Sequence, residues 1–378
     1  MTLFFLIFFA LYSLMHSYLF LRIRAAFALS PPASLTLVFC MAALVFTPYF
    51  IRVAERFGLE AMARALSFSG YLWMGFLLLF VSAAAAVDVY RAVLAAAQAA
   101  GRPLTLPAPT PLAALIIPFC VALAASVYGY AEARNIRVEH HAVRTTAIPT
   151  ETGRIRIVQI SDVHLGLIVR HERLKAILTK VKEAGPDLLV STGDLVDGQI
   201  NNLNGLSDMF REIEPRYGKY AVTGNHEVYA GLQQALEFTE KAGFIVLRDE
   251  SVSVAGVLQV AGVDDPAISQ RTGAARKANE DSVLRAADQG RFVLLLKHRP
   301  LFPRESIGRF DLQLSGHVHR GQIFPFSILT AFYYPVHSGF VRLSDRSAVS
   351  VSRGSGTWGP PMRILSPPEV TVIDLVPG

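Results

Sequence analysis

Four runs in the first third of the chain constrain its fold before anything else does. Leu3–Leu21, Ala33–Ile51, Leu66–Val87 and Leu112–Tyr130 are nearly free of charge. Each holds about 20 residues, enough for a helix rising about 1.5 Å per residue to cross a hydrocarbon core about 30 Å thick. One such run could be a buried core helix; four in succession point to membrane spans. The composition agrees, with 52% hydrophobic and only 17% charged residues and a mean hydropathy of +0.38. No Lys or Arg precedes the first run and three more runs follow it, so it reads as an anchor helix rather than a cleaved leader. A four-helix transmembrane region over residues 1–131 is expected.

Cys40 and Cys120 both fall inside these runs, which makes them poor metal ligands or disulfide partners. His16 also lies in a span, where a polar ring needs a partner; an interhelical hydrogen bond is expected. The net charge of +6 is modest. Its arginines gather beside the spans and suit lipid phosphates at least as well as nucleic acid. The bilayer is therefore the expected partner and nucleic acid is not. Residues 132–153 mix charge, Thr and Pro without a long apolar period and predict a linker, with His140 and His141 solvated in it.

From Arg154 to the C-terminus the pattern becomes that of a soluble α/β domain. "RIRIVQIS", "DLLVS", "KYAVT", "FIVLR", "LQVAGV", "FVLLLK", "DLQLS", "AVSVSRG" and "EVTVIDL" read as strands, while Arg173–Ala184 and Leu232–Ala242 have helical periodicity. Many strands with fewer helices predict two packed sheets flanked by helices, rather than a single doubly wound sheet.

Five of these strands run straight into polar turns. They are "SDVHLG" with Asp162 and His164, "GDLVDG" with Asp194 and Asp197, "GNHE" with Asn225 and His226, "KHRP" with His298, and "GHVH" with His317 and His319. In an extended H-x-H the two imidazoles lie on one face, the spacing a metal wants. Alone it could equally be a surface pair. Loops at strand ends are where such a scaffold gathers a site. Mixed carboxylate, amide and imidazole donors without thiolate suit Mn²⁺, Fe or Zn²⁺. His226 could instead shape a turn, Asp197 could cap one, and Glu227 reads as structural.

This motif series, with "AGVDD", "LSGHVHRGQIFP" and "VSRGSGTWGPPMR", resembles the calcineurin-like metallophosphoesterases, in particular their membrane-anchored bacterial branch (YkuE- and YaeI-like). The likeness covers roughly Arg154 to the C-terminus, residues 154–378, and implies a two-sheet sandwich around a dinuclear metal centre. It implies one ion held by Asp162, His164 and His319, a second by Asn225, His298 and His317, and Asp194 bridging them. It further implies His226 as catalytic acid, hydrogen-bonded to Asp197. The chain departs from its relatives in three places. Arg320 stands where many have Gly, "KHRP" replaces "AHQP"-like forms, and Gly198 replaces the Arg that follows the matching carboxylate in protein phosphatases.

The expected activity is hydrolysis of a phosphodiester or pyrophosphate bond, with Arg320 and Arg353 as contacts for substrate phosphate. The anchor and the aromatic stretch Gly321–Pro335 favour a lipid-linked substrate of the UDP-diacylglucosamine type. Soluble nucleotides are the alternative, and a non-catalytic membrane scaffold is a third reading that the complete ligand set opposes. Four spans would put Arg52, Arg56, Arg64, Arg134, Arg137 and Arg144 on the side of the catalytic domain, with Arg22, Arg24, Arg91 and Arg102 opposite. By the positive-inside rule this predicts a multi-pass inner-membrane protein with a cytoplasmic catalytic domain.

Overall fold

The computed structural model of the protein describes residues 2–102, 104–198, 203, 205–272 and 280–378. By its internal contacts the chain divides into Met1–Ala131 with Gly359–Met362, and Glu132–Trp358 with Arg363–Gly378.

The first unit is helical: α1 (Thr2–Ala26), α2 (Pro31–Val45), α3 (Thr47–Arg56), α4 (Glu60–Ala99) and α5 (Ala113–Glu132). Three of these, α1, α4 and α5, are long and apolar enough to cross a membrane. The second expected span is not one helix: α2 and α3 meet at Phe46 with a bend of 54°. The cause is Pro48, which lacks an N–H and whose ring would clash with the carbonyl four residues back, at Leu44. The described helices therefore give three spans, or four if the bent pair crosses as one. The third expected run is longer than its apolar stretch, since α4 has 40 residues. At about 1.5 Å per residue it is roughly twice as long as the hydrocarbon core is thick.

Polar contacts tie α1 to α4. Trp73 donates its indole N–H to His16 Nε2 at 3.0 Å, leaving Nδ1 to donate to the Tyr12 carbonyl at 2.8 Å. His16 is thus the satisfied interhelical link its position demanded. Nearby, Tyr18 donates to Asp88 at 2.5 Å and Arg22 pairs with the same carboxylate.

The second unit holds two six-stranded sheets. Its strands are β1 (Arg137–Thr145), β2 (Ile155–Ile160), β3 (Leu188–Ser191), β4 (Lys219–Ala221), β5 (Ile245–Val246), β6 (Glu250–Val254), β7 (Leu258–Val263), β8 (Phe292–Lys297), β9 (Leu312–Ser315), β10 (Gly339–Arg342), β11 (Ala348–Val351) and β12 (Glu369–Pro377). The first sheet runs β1-β12-β2-β3-β4-β5 and the second β10-β11-β9-β8-β7-β6. In the first sheet β2 to β5 run parallel with β12 antiparallel to β2, and in the second β7, β8, β9 and β11 run parallel. Strands covered on both faces read as unbroken apolar runs, as "FVLLLK" does up to Lys297.

The helices of this unit are α6 (His171–Ala184), α7 (Leu206–Arg211), α8 (Asn225–Ala230), α9 (Leu232–Lys241), α10 (Ala267–Thr272), α11 (Glu280–Ala286) and α12 (Phe326–Tyr333). Ile157, Val190, Leu294 and Leu314 fill the space between the sheets. Leu174, Ile177 and Phe238 of α6 and α9 cover the outer face of the first sheet, and Val283 and Leu284 of α11 that of the second. This is the helix-flanked two-sheet architecture the strand count predicts.

The segment expected as linker is ordered where it contains β1. Arg137–Thr145 pairs with β12 over nine residues and forms the edge of the first sheet. Val143 is buried and Glu139 reaches Arg353. His141 stacks on Phe340 with ring centroids 5.4 Å apart, so it is not simply solvated. Its polar residues hide this strand from a reading of apolar periodicity.

Candidate metal centre

Every candidate ligand stands just past the C-terminal end of a parallel strand: Asp162 and His164 after β2, Asp194 after β3, Asn225 after β4, His298 after β8, and His317 and His319 after β9. Parallel strands bring such ends to one edge, where open α/β sheets bind ligands. The backbone there is strained in a specific way. Asp162, His164, Asp194, His317 and His319 all have positive φ, between 46° and 73°. Non-glycine residues rarely adopt this region, and clusters of such strain mark functional sites.

Two glycines show how tightly the turns close. A Cβ on Gly316 would lie 1.9 Å from Ser161 Oγ and 2.2 Å from Asp162 Oδ2. One on Gly224 would lie 2.1 Å from Asp194 Oδ1. Both positions therefore require glycine.

The side chains converge as three groups whose ligand atoms lie within 4.8 Å of one another: Asp162–His164–His319, His164–Asp194–His226 and Asp194–His298–His317. Ring nitrogens face each other at 3.1 Å in His164–His319 and again in His317–His298. His319 Nε2 lies 3.3 Å from Asp162, and Asp194 Oδ2 lies 3.2 Å from His298 Nε2 and 3.9 Å from His164 Nε2. Asp194 Oδ1 is already engaged, accepting the His226 backbone N–H at 2.8 Å. The single oxygen Oδ2 thus points between the two clusters. Asn225 Oδ1 is buried without a hydrogen-bond partner. A buried polar atom normally has one, so this orphan fits a cation better than an empty space. The donor set fits two divalent cations.

His226 is nearly buried and holds Asp197 at 2.8 Å through Nδ1. Burial opposes its charge, but Asp194 and Asp197 outweigh burial and lift its pKa to about 9. His298 is lifted to about 10 in the same way, burial being overcome by Asp194. His164 and His317 are driven down to about 3 by burial and by the imidazoles beside them, which keeps them neutral, whereas His298 would have to lose its proton to ligate. Burial also opposes ionisation of Asp162 and Asp194. His319 and His298 nevertheless hold both carboxyls below the ordinary range. His226 falls within reach of a ligand group as well as of Asp197, which sequence reading assigned to an acid alone.

Glu227 has the structural role expected of it: it accepts backbone N–H groups from Gly224 at 2.6 Å, Asp194 at 3.0 Å and Leu195 at 2.7 Å, and so clamps the Asp194 turn. Other residues escape a reading of the sequence. Asp265 of "AGVDD" grips Arg299 of "KHRP" at 2.8 and 3.0 Å, which holds the loop carrying His298. Gln322 exchanges two hydrogen bonds with the Trp358 backbone, at 2.7 and 2.9 Å.

The two arginines expected at substrate phosphate part company. Arg353 is engaged by Glu139, by Glu369 at 2.6 Å and by the Pro367 carbonyl at 3.0 Å, so its charge is spent inside the fold. Arg320 follows His319 directly, and among the described residues it makes no ion pair. Aromatic side chains rim the cluster: Tyr334 lies against His317 with centroids 5.8 Å apart, and Tyr229 and Trp358 lie against His226 at 5.3 and 5.8 Å. Beside them α12 buries none of its residues; Phe332 is 84% and Tyr333 72% exposed.

The model of the calcineurin-like phosphoesterase family matches residues 155–321. An uncharacterized metallophosphoesterase of Aquifex aeolicus is 41% identical over 257 residues, covering 68% of this chain and 97% of that protein. The metallophosphoesterase YkuE of Bacillus subtilis is 31% identical over 268 residues, 66% of this chain and 89% of that one. A zebrafish transmembrane protein with a metallophosphoesterase domain is 31% identical over 261 residues, 66% of this chain but only 60% of the zebrafish protein's length. With nearly the whole of the Aquifex protein matched, and the matched strands ending on one cluster of carboxylates and imidazoles, this chain belongs to the calcineurin-like phosphoesterase family.

Proposed function

We propose that the protein is a membrane-anchored phosphoesterase that cleaves a phosphodiester or pyrophosphate bond in a lipid-linked substrate. The observation that carries this reading is the adjacency of the ligand cluster to exposed aromatic side chains, Tyr229 and Trp358, which lie against His226. Exposed apolar surface of that kind marks contact with a partner or with lipid. The α1, α4 and α5 helices supply the anchor. The reading puts the catalytic unit on the cytoplasmic side of an inner membrane, which six arginines against four favour if the bent α2–α3 pair crosses as one span.

In this reading Asp162, His164 and His319 would hold one cation and Asn225, His298 and His317 the other, and Asp194 would serve both. Mn²⁺, Fe and Zn²⁺ all suit such donors. Two cations bound there supply a water of lowered pKa and positive charge for the phosphoryl oxygens. The chain's own residues do the rest. Asp197 accepts the Nδ1–H of His226 and fixes the ring, so that Nε2 carries the proton for the departing oxygen. The Asp197 carboxylate beside the ring favours its protonated form. Asp194 Oδ1 ties down the His226 backbone while Oδ2 faces His298 and His164. Arg320 offers an uncommitted positive charge beside His319.

A substrate panel with the detergent-solubilised full-length protein and added Mn²⁺ tests this. Lipid-linked pyrophosphates in mixed micelles should be turned over faster than soluble nucleotides at equal concentration. Faster turnover of nucleotides would replace the lipid reading with that of a tethered nucleotide phosphoesterase. Failure on all substrates, including an activated aryl phosphodiester, would leave a scaffold.

A further inference from the structure

Two aromatic rings touch the imidazole that the reading above makes the acid. Tyr229 stands three residues after His226 in α8, so the two side chains share one face of the helix, and their ring centroids lie 5.3 Å apart. Trp358 comes from the far end of the chain and meets the same imidazole at 5.8 Å. Neither ring is packed into a core. Tyr229 is 47% and Trp358 49% exposed, whereas the His226 they touch is nearly buried.

The backbones that carry these rings are fixed. Gln322 holds the Trp358 main chain by its two hydrogen bonds. Just before it, the N–H groups of Ser355 and Gly356 donate to the carbonyls of Ser161 and Asp162 at 2.7 and 3.0 Å. The segment is thereby stitched to the turn that carries the first candidate ligands. A Cβ on Gly356 would come within 2.0 Å of the Val163 carbonyl oxygen, so this close approach requires glycine. On the other side Glu227 ties the start of α8 to the Asp194 turn, and Arg271 donates to the Val228 carbonyl at 2.7 Å. Aromatic rings offer a large contact area at a low entropic cost, because only two torsions need be frozen. An exposed pair on a fixed backbone is therefore suited to receive a ligand.

The chemistry of the acid says which part of the ligand lies there. Asp197 takes Nδ1 of His226, so Nε2 is the atom left to protonate the departing oxygen. Whatever is attached to that oxygen must then lie near the rings that touch the same imidazole. The face of an aromatic ring is electronegative and does not attract anions, whereas it stacks well on another flat ring. We propose that Tyr229 and Trp358 form the subsite for the departing group, and that this group carries an uncharged ring within a few atoms of the oxygen it leaves on. The proposal rests on the acid role of His226 and names the class of leaving group that the phosphoesterase reading leaves open.

The test compares two methyl phosphodiesters whose leaving alcohols have similar basicity, phenol and the acyclic hexafluoroisopropanol. Values of kcat and KM are measured on Mn²⁺-loaded, detergent-solubilised full-length wild type, Y229A, W358A, Y229F, W358F and H226A, with elemental analysis of each protein. Wild type should prefer the phenyl ester. Each alanine variant should keep the metal content of wild type and lose about tenfold of that preference, chiefly through KM, while the phenylalanine variants retain most of it. A wild type without the preference would overturn the proposal, and an unchanged preference in either alanine variant would remove that ring from the subsite. Equal losses on both esters would also overturn it, because the rings would then merely pack around His226. H226A separates this proposal from the reading beneath it. With leaving groups of matched basicity it should slow both esters alike; no slowing of either would remove the acid role, and the subsite with it.

Discussion

Asp197 and Asp194 act on one ring from two directions. Asp197 holds His226 through Nδ1, and Asp194 holds the same residue through its backbone. A general acid works while protonated, so His226 serves below its folded pKa and fails above it. Asp197 raises that pKa, and its removal must therefore lower it. D197N should move the alkaline limb of the kcat profile on an unactivated phosphodiester to lower pH; an unmoved limb would show that Asp197 does not tune the acid. H226A should cost about 10²-fold or more on the same substrate and less on an activated aryl phosphodiester, whose leaving group departs unprotonated. Equal losses on both would argue against acid catalysis by His226.

At the scale of elements, α12 is the piece with no packing reason to exist as it does. "FSILTAFY" carries no charge and buries none of its residues, yet it follows the last ligand motif closely. Burying a large apolar side chain contributes about 1.5–3 kcal/mol. A triple L329S/F332S/Y333S variant should therefore lower the ratio of lipid-linked to aryl phosphodiester turnover by more than tenfold; an unchanged ratio would remove the rim from the account. The elements differ in how far they could be read beforehand. Strands such as β8 are apolar up to their last residue because both faces are covered, and three of the five ligand turns announce themselves by Gly beside Asp194, Asn225 or His317. Strand β1 was hidden because an edge strand tolerates Arg, Glu and His. The break at Phe46 was hidden because apolar composition continues through it, and only Pro48 betrays it. The Asp265–Arg299 pair could not be found by local pattern, since its partners are brought together by folding.

For the whole molecule, the bent α2–α3 pair decides topology. If it crosses, the N-terminus and the catalytic unit share a side; if it does not, they lie on opposite sides. Reporter fusions at the N-terminus and after Arg144 should both be fluorescent with a cytoplasmic reporter, and alkaline phosphatase after Arg144 should be silent. Alkaline phosphatase activity there would place the catalytic unit outside and count against a nucleotide-containing lipid made in the cytoplasm. The central claim, however, is that one carboxylate oxygen joins two cations at the strand ends, since Asp194 Oδ2 faces His298 on one side and His164 on the other. Elemental analysis of purified wild type and D194N tests it most directly. The account predicts close to two equivalents per chain in wild type and loss of both, or nearly so, in D194N; full occupancy in D194N would contradict it.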